Sequence, residues 1–114
     1  MSFLTRPFSP TFGRKLTFTV STSAGTPQLI GQLSGPLQLR LANYDTGAPV
    51  AYMAGTQTAV ASVTVAANPT LMSGGATELI TVHPNSDNTP VYFNVIGDTG
   101  ASGGKFEATP GQGI

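Results

Sequence analysis

Apolar and polar residues alternate along most of this chain with a period of two, the repeat of a strand that buries one face. Leu16, Phe18 and Val20 alternate with Thr17 and Thr19, and Leu37, Leu39 and Leu41 alternate with Gln38 and Arg40. Val50 and Tyr52 mark a third segment, and the β-branched run Val60-Ala61-Ser62-Val63-Thr64-Val65 a fourth. Leu79-Ile80-Thr81-Val82 and Val91-Tyr92-Phe93-Asn94-Val95-Ile96 follow, and a short strand around Lys105-Phe106-Glu107-Ala108 closes the set. This pattern predicts about seven strands separated by turns, the signature of a sandwich or barrel. No window shows a helical repeat with capping residues. Thr, Val and Gly stand where a helix would favour Ala, Glu, Lys and Leu.

The turns fall between these segments. Asn43-Tyr44-Asp45-Thr46-Gly47 leads from the leucine strand to Val50, and Gly47 is suited to the positive φ of a hairpin bulge. Ser73-Gly74-Gly75 precedes the strand through Leu79, Pro84-Asn85-Ser86-Asp87-Asn88 forms a polar loop, and Gly97-Asp98-Thr99-Gly100 leads towards the last strand. Residues 1–14 read differently. Phe3, Phe8 and Phe12 are interleaved with Pro7 and Pro10, a spacing that favours an extended arm with no ladder of its own. Those rings either cover an open edge of the protein's own core or reach a neighbouring subunit. Each fully buried Phe contributes roughly 1.5–3 kcal/mol, so three would make a strong latch. Residues 15–114 then form one β-sandwich domain, a size at which a single core suffices.

Charge changes the picture. Only 9% of the 114 residues are charged and the formal net charge is zero, against about 25% charged in an ordinary domain. Little repulsion keeps copies apart, which suits a subunit held in an assembly. Arg6, Arg14, Lys15 and Arg40 precede every acidic residue, whereas Asp45, Glu78, Asp87, Asp98 and Glu107 share the remainder with Lys105 alone. A basic front and an acidic back are able to pair between copies; ordinary solvated surface is the simpler account. The arm residues Phe3, Arg6, Phe8, Phe12, Arg14 and Lys15 are the candidate subunit interface. Such a balanced charge is a poor footprint for nucleic acid. The start of the chain lacks the form of a signal peptide, and no stretch is long enough to span a membrane as a helix.

Candidate chemistry is sparse. Cysteine is absent and His83 is the single histidine, so no zinc cluster is recognisable and no cofactor is expected. No nucleophile-elbow motif accompanies His83. The pairs Gly74-Gly75 and Gly103-Gly104 lack the Lys and the helix start of a phosphate loop. Asp-Thr-Gly occurs twice, at Asp45-Thr46-Gly47 and Asp98-Thr99-Gly100. Aspartic proteases use this triplet because two such carboxyls share a proton across a dyad, and Val95-Ile96-Gly97 echoes the apolar pair and Gly that support that site. The context is wrong, however. That family roots each loop in the core through an apolar or small residue before the Asp; here Tyr44, itself preceded by Asn43, stands before Asp45, and Gly97 before Asp98. Glycines interrupt the segment after Gly97 where that family has a helix. The retropepsin-like reading is therefore an alternative, and the expectation is a protein that is not an enzyme.

Three stretches, taken together, carry a resemblance. They are Leu37-Gln38-Leu39-Arg40-Leu41-Ala42-Asn43, Leu71-Met72-Ser73-Gly74-Gly75-Ala76-Thr77-Glu78-Leu79, and the tail from Val91-Tyr92-Phe93-Asn94-Val95-Ile96-Gly97 to Thr109-Pro110-Gly111-Gln112-Gly113-Ile114. From Leu37 onward their order resembles small virion proteins of tailed bacteriophages, the capsid decoration or cement proteins and related head and tail accessories. The resemblance leaves out the arm. It implies an antiparallel β-sandwich, jelly-roll-like in one form, that binds the major capsid protein and its own copies as a homo-oligomer such as a trimer. It further implies a place on the capsid surface of a virion assembled in the bacterial cytoplasm. A head–tail or tail-associated subunit is the alternative within that class. No individual functional residue carries over.

Overall fold

The structure, a computed structural model, describes residues 9–10, 15–66 and 71–112. Among them the chain runs β1 (Ser9–Pro10), β2 (Leu16–Thr19), β3 (Gln28–Gly31), β4 (Leu37–Asn43), β5 (Val50–Gly55), α1 (Gln57–Ala61), β6 (Thr77–Val82), β7 (Val91–Gly97) and β8 (Lys105–Gln112). One sheet has the order β2-β8-β4-β6, and the other the order β3-β7-β5. The two-residue β1 lies beside the end of β8, with Ser9 opposite Gln112 and Pro10 opposite Gly111. Every pairing is antiparallel. The fold is the all-β antiparallel sandwich that the period-two pattern predicts.

Each successive strand from β2 to β8 changes sheet. The pairs nest inside one another: β2 with β8, β3 with β7, and β4 with β6. The chain is therefore a long antiparallel ribbon that doubles back after β5. Rolling the ribbon brings β4 against β8 and β5 against β7. This is the winding of a jelly roll, with α1 in the chain position where a further strand would complete the ribbon.

The inward residues of both sheets fill the space between them. Phe18, Leu39, Leu41, Val82, Phe106 and Ala108 come from one sheet, and Ile30, Val50, Val91, Phe93 and Val95 from the other. Phe93 sits at the centre. Its ring stacks on Tyr52 at 5.8 Å and on Phe106 at 6.2 Å between centroids, and meets Phe18 tilted at 5.9 Å.

Five expectations need correction. The run Val60–Val65 is not a strand. Thr56 accepts a hydrogen bond from the Ala59 N–H and caps α1, and Val60 ends up in that helix. Val60 and Val63 are both buried while Ser62 and Thr64 are exposed, which is a turn-like spacing of three that a β-branched composition disguised. The same helix corrects the expectation that none would form. Gly47 does not take a positive φ; Gly31, Gly75, Gly100 and Gly103 do. Nor do β4 and β5 form a hairpin, because they belong to different sheets. Finally, the arm is not free of ladder pairing, since Ser9–Pro10 bridges to the protein's own β8. One strand was not anticipated: β3 offers only Leu29 and Ile30 between Pro27 and Gly31, too short a run to show alternation.

Candidate interaction surfaces

The first Asp-Thr-Gly triplet turns out to be a fastening. Asp45 is 1% exposed. Its Oδ1 accepts from the Gly47 N–H at 2.7 Å and the Ser102 hydroxyl at 2.9 Å, while Oδ2 accepts from the N–H groups of Ser102 at 2.9 Å and Gly104 at 3.2 Å. The Ser102 N–H does most to hold the Asp45 carboxyl below its ordinary 3.8, at about 2; burial opposes this, and the Gly47 N–H, the Ser102 hydroxyl and the Gly104 N–H reinforce it. Buried Asn43 extends the knot. Its Oδ1 accepts from the Asp45 N–H, and its Nδ2 donates to the carbonyls of Ala48 and Met72. Two side chains thus tie the β4–β5, β5–β6 and β7–β8 connections together.

The two triplets do meet, but through their glycines. A Cβ on Gly47 would lie 2.5 Å from the Gly100 carbonyl oxygen, and one on Gly100 would lie 2.7 Å from that of Gly47. Only residues without side chains permit that approach. Asp98 Oδ1 accepts from the neighbouring Thr99 N–H at 2.7 Å. Both oxygens of Asp45 are already engaged with donors from its own and the facing loop, so this carboxylate is held ionised and serves packing. Among the described residues no cluster of three or more His, Cys, Asp or Glu could hold a metal ion.

The sheet edges differ in how they are protected. Beside β8 lie β2 and then β1. The pairing of β3 with β7 shifts register between Leu29 and Gly31, and such a bulge blunts an edge. On the outer side of β5, Met72 bridges to Val50, and α1 packs on both β5 and β7. By contrast, β6 pairs in unbroken register from Thr77 to Val82 with β4 and with no other strand among the described residues. It contains no Pro and no Gly, and its outward side chains are Thr77, Leu79 and Thr81, with Leu79 half exposed. Its one charge, Glu78, turns inward and accepts a hydrogen bond from the Tyr52 hydroxyl at 3.1 Å, linking β6 to β5. Burial, and then the Glu78 carboxylate, push the Tyr52 hydroxyl above its ordinary pKa. Tyr44, Leu29 and Met53 are further large apolar side chains in contact with solvent.

Of the interface residues expected from the sequence, Phe3, Arg6, Phe8, Phe12 and Arg14 lie outside the described residues. Lys15 is described, half exposed, with its Nζ 3.1 Å from Glu107 Oε2 on β8. There the basic front and the acidic back pair within one chain. No family model, curated protein or solved structure matches the chain.

A groove of about 400 Å³ was not foreseen from the sequence. Thr56, Gln57 and Thr58 form one wall, at the start of α1. Asp87, Thr89 and Pro90, from the β6–β7 connection, form the other, with Tyr92 of β7 between them. These residues come from two separate segments and share no motif, so the sequence carried no signal for them. Only the pairing of Gly55 with Tyr92 brings the two walls together.

Proposed function

We propose that this chain is a structural virion protein that decorates and stabilises a tailed-phage capsid by binding shell subunits as an oligomer. The observation that carries the reading is the β6 edge: among the described residues it is regular, uncharged on its outward face and without Pro, Gly or a bulge, and its inward Glu78 is engaged by the Tyr52 hydroxyl. A strand from a neighbour pairing there would gain main-chain hydrogen bonds, with Leu79 packing on one face. The charge-poor composition supports the same reading, as does the likeness of residues 37–114 to decoration proteins. Several weak contacts per copy suffice for firm attachment, because linked contacts multiply in effect.

The test is an electron-microscopic reconstruction of the virion that contains the protein. Density for this fold across the shell, in proportion to the capsid subunits, is expected. A ring of copies confined to the tail axis would instead favour the head–tail alternative. The aspartic protease reading is supported by the two Asp-Thr-Gly triplets and the echo at Val95-Ile96-Gly97, and the four hydrogen bonds on Asp45 weigh against it. Peptide cleavage by the purified chain that disappears in Asp45→Asn, with the fold intact, would establish it.

A further inference from the structure

The groove between α1 and the β6–β7 connection has the chemistry of a sugar site. Its volume falls within the range of small-ligand pockets. The one ionisable group at its mouth that carries a charge at neutral pH is Asp87, and neither Lys nor Arg lines it. Anionic ligands such as phosphates are therefore repelled. What remains around the carboxylate is neutral and two-natured. Thr58 and Gln57 offer hydroxyl and amide groups that both donate and accept, while Pro90 and the Tyr92 ring offer apolar surface.

The carboxylate is held in place before any ligand arrives. Asp87 Oδ1 accepts from the Thr89 hydroxyl at 2.6 Å and from the Thr89 N–H at 3.2 Å. These bonds, the hydroxyl first, keep its carboxyl below the ordinary range, so it is an acceptor throughout the neutral region. Asn85 braces the same loop through Nδ2, which donates to the Pro90 carbonyl at 3.0 Å, and the Gln32 side chain donates to the Asn88 carbonyl at 2.9 Å from the other side. Both Thr89 bonds fall on Oδ1. The ring of Tyr92 is half covered: Leu29 lies opposite it on β3, but on the β5 side its partner is Gly55, which has no side chain to lay over it.

We propose that this groove binds a neutral pyranose, with a pair of adjacent sugar hydroxyls donating to Asp87 and the apolar face of the ring resting on Tyr92. A hydroxyl pair matches a fixed carboxylate, and a C–H face matches an aromatic ring. This does not depend on where the protein resides, and it stands whether or not the capsid reading is correct.

The test uses the full chain, labelled with ¹⁵N and titrated with the methyl glycosides of glucose, mannose and galactose and with N-acetylglucosamine. At least one sugar should shift the amide signals of Thr58, Asp87, Thr89 and Tyr92 saturably. Asp87→Asn should weaken that binding about tenfold or more, as expected for hydrogen bonds to a charged acceptor, and Tyr92→Ala should weaken it as well. Because Asp87→Asn touches the loop bracing, Gln57→Ala serves as a second variant that leaves the bracing alone and should also weaken binding. If none of these sugars shifts those signals, or if the shifts survive all three substitutions, the proposal is wrong.

Discussion

At the scale of single residues, the roles of Asp45 and Phe93 lead to opposite kinds of prediction. Asp45 has a folded-state pKa of about 2 against an ordinary 3.8. A carboxyl depressed on folding stabilises the native state above its unfolded pKa, and that contribution is lost as pH falls through the folded value. Asp45→Asn should therefore be clearly less stable than the wild type at pH 7. The gap should narrow below about pH 4 and close near pH 2. Urea denaturation at a series of pH values checks this, and a gap that does not change with pH would contradict it. Phe93 makes no polar bond and works through packing on three other rings. Phe93→Ala should cost about 3–5 kcal/mol in the same assay at any pH. The sequence made Phe93 legible as core, since it alternates with Tyr92 and Asn94. It also made Asp45 legible as a turn residue. It did not reveal that Asp45 reaches Ser102 and Gly104, because nothing local encodes which loop will face which.

At the scale of elements, alternation of apolar and polar residues located β2, β4, β5, β6, β7 and β8. The pattern failed where tertiary contacts outweighed local preference. Val60 looks like a strand residue, yet it is buried in a five-residue helix that begins at a Thr cap. So short a helix has little stability of its own, which makes the cap important. Thr56→Ala should cost about 1 kcal/mol in thermal or urea unfolding, through loss of the bond to the Ala59 N–H. The β6 edge carries the assembly prediction. Leu79 is half exposed, so Leu79→Lys should change stability by no more than about 0.5 kcal/mol. On the present reading it should nonetheless lower oligomer size in sedimentation velocity, because a lysine on an edge opposes strand addition. An unchanged oligomer would show that β6 is not the seam.

At the scale of the whole molecule, six of the strands were readable from the sequence but their winding was not. Alternation records which face of a strand is buried and is silent on which strand lies beside it. The nested pairs β2/β8, β3/β7 and β4/β6 mean that the two ends of the chain close one sheet together. The arm that precedes β2 consequently leaves from beside β8, near the end of the chain, and Ser9–Pro10 remains attached there. Among the described residues, this neutral, sparsely charged sandwich has at β6 an edge without Pro, Gly or a bulge, and its sequence starts with a segment rich in Phe. In the proposed role, other polypeptides complete such a surface. The most direct measurement of the proposed capsid role is co-sedimentation of the purified protein with assembled heads of the phage proposed to encode it. Saturable binding in fixed proportion to the shell subunits, reduced by Leu79→Lys, is the result predicted; a chain that stays monomeric and leaves every head bare would contradict it.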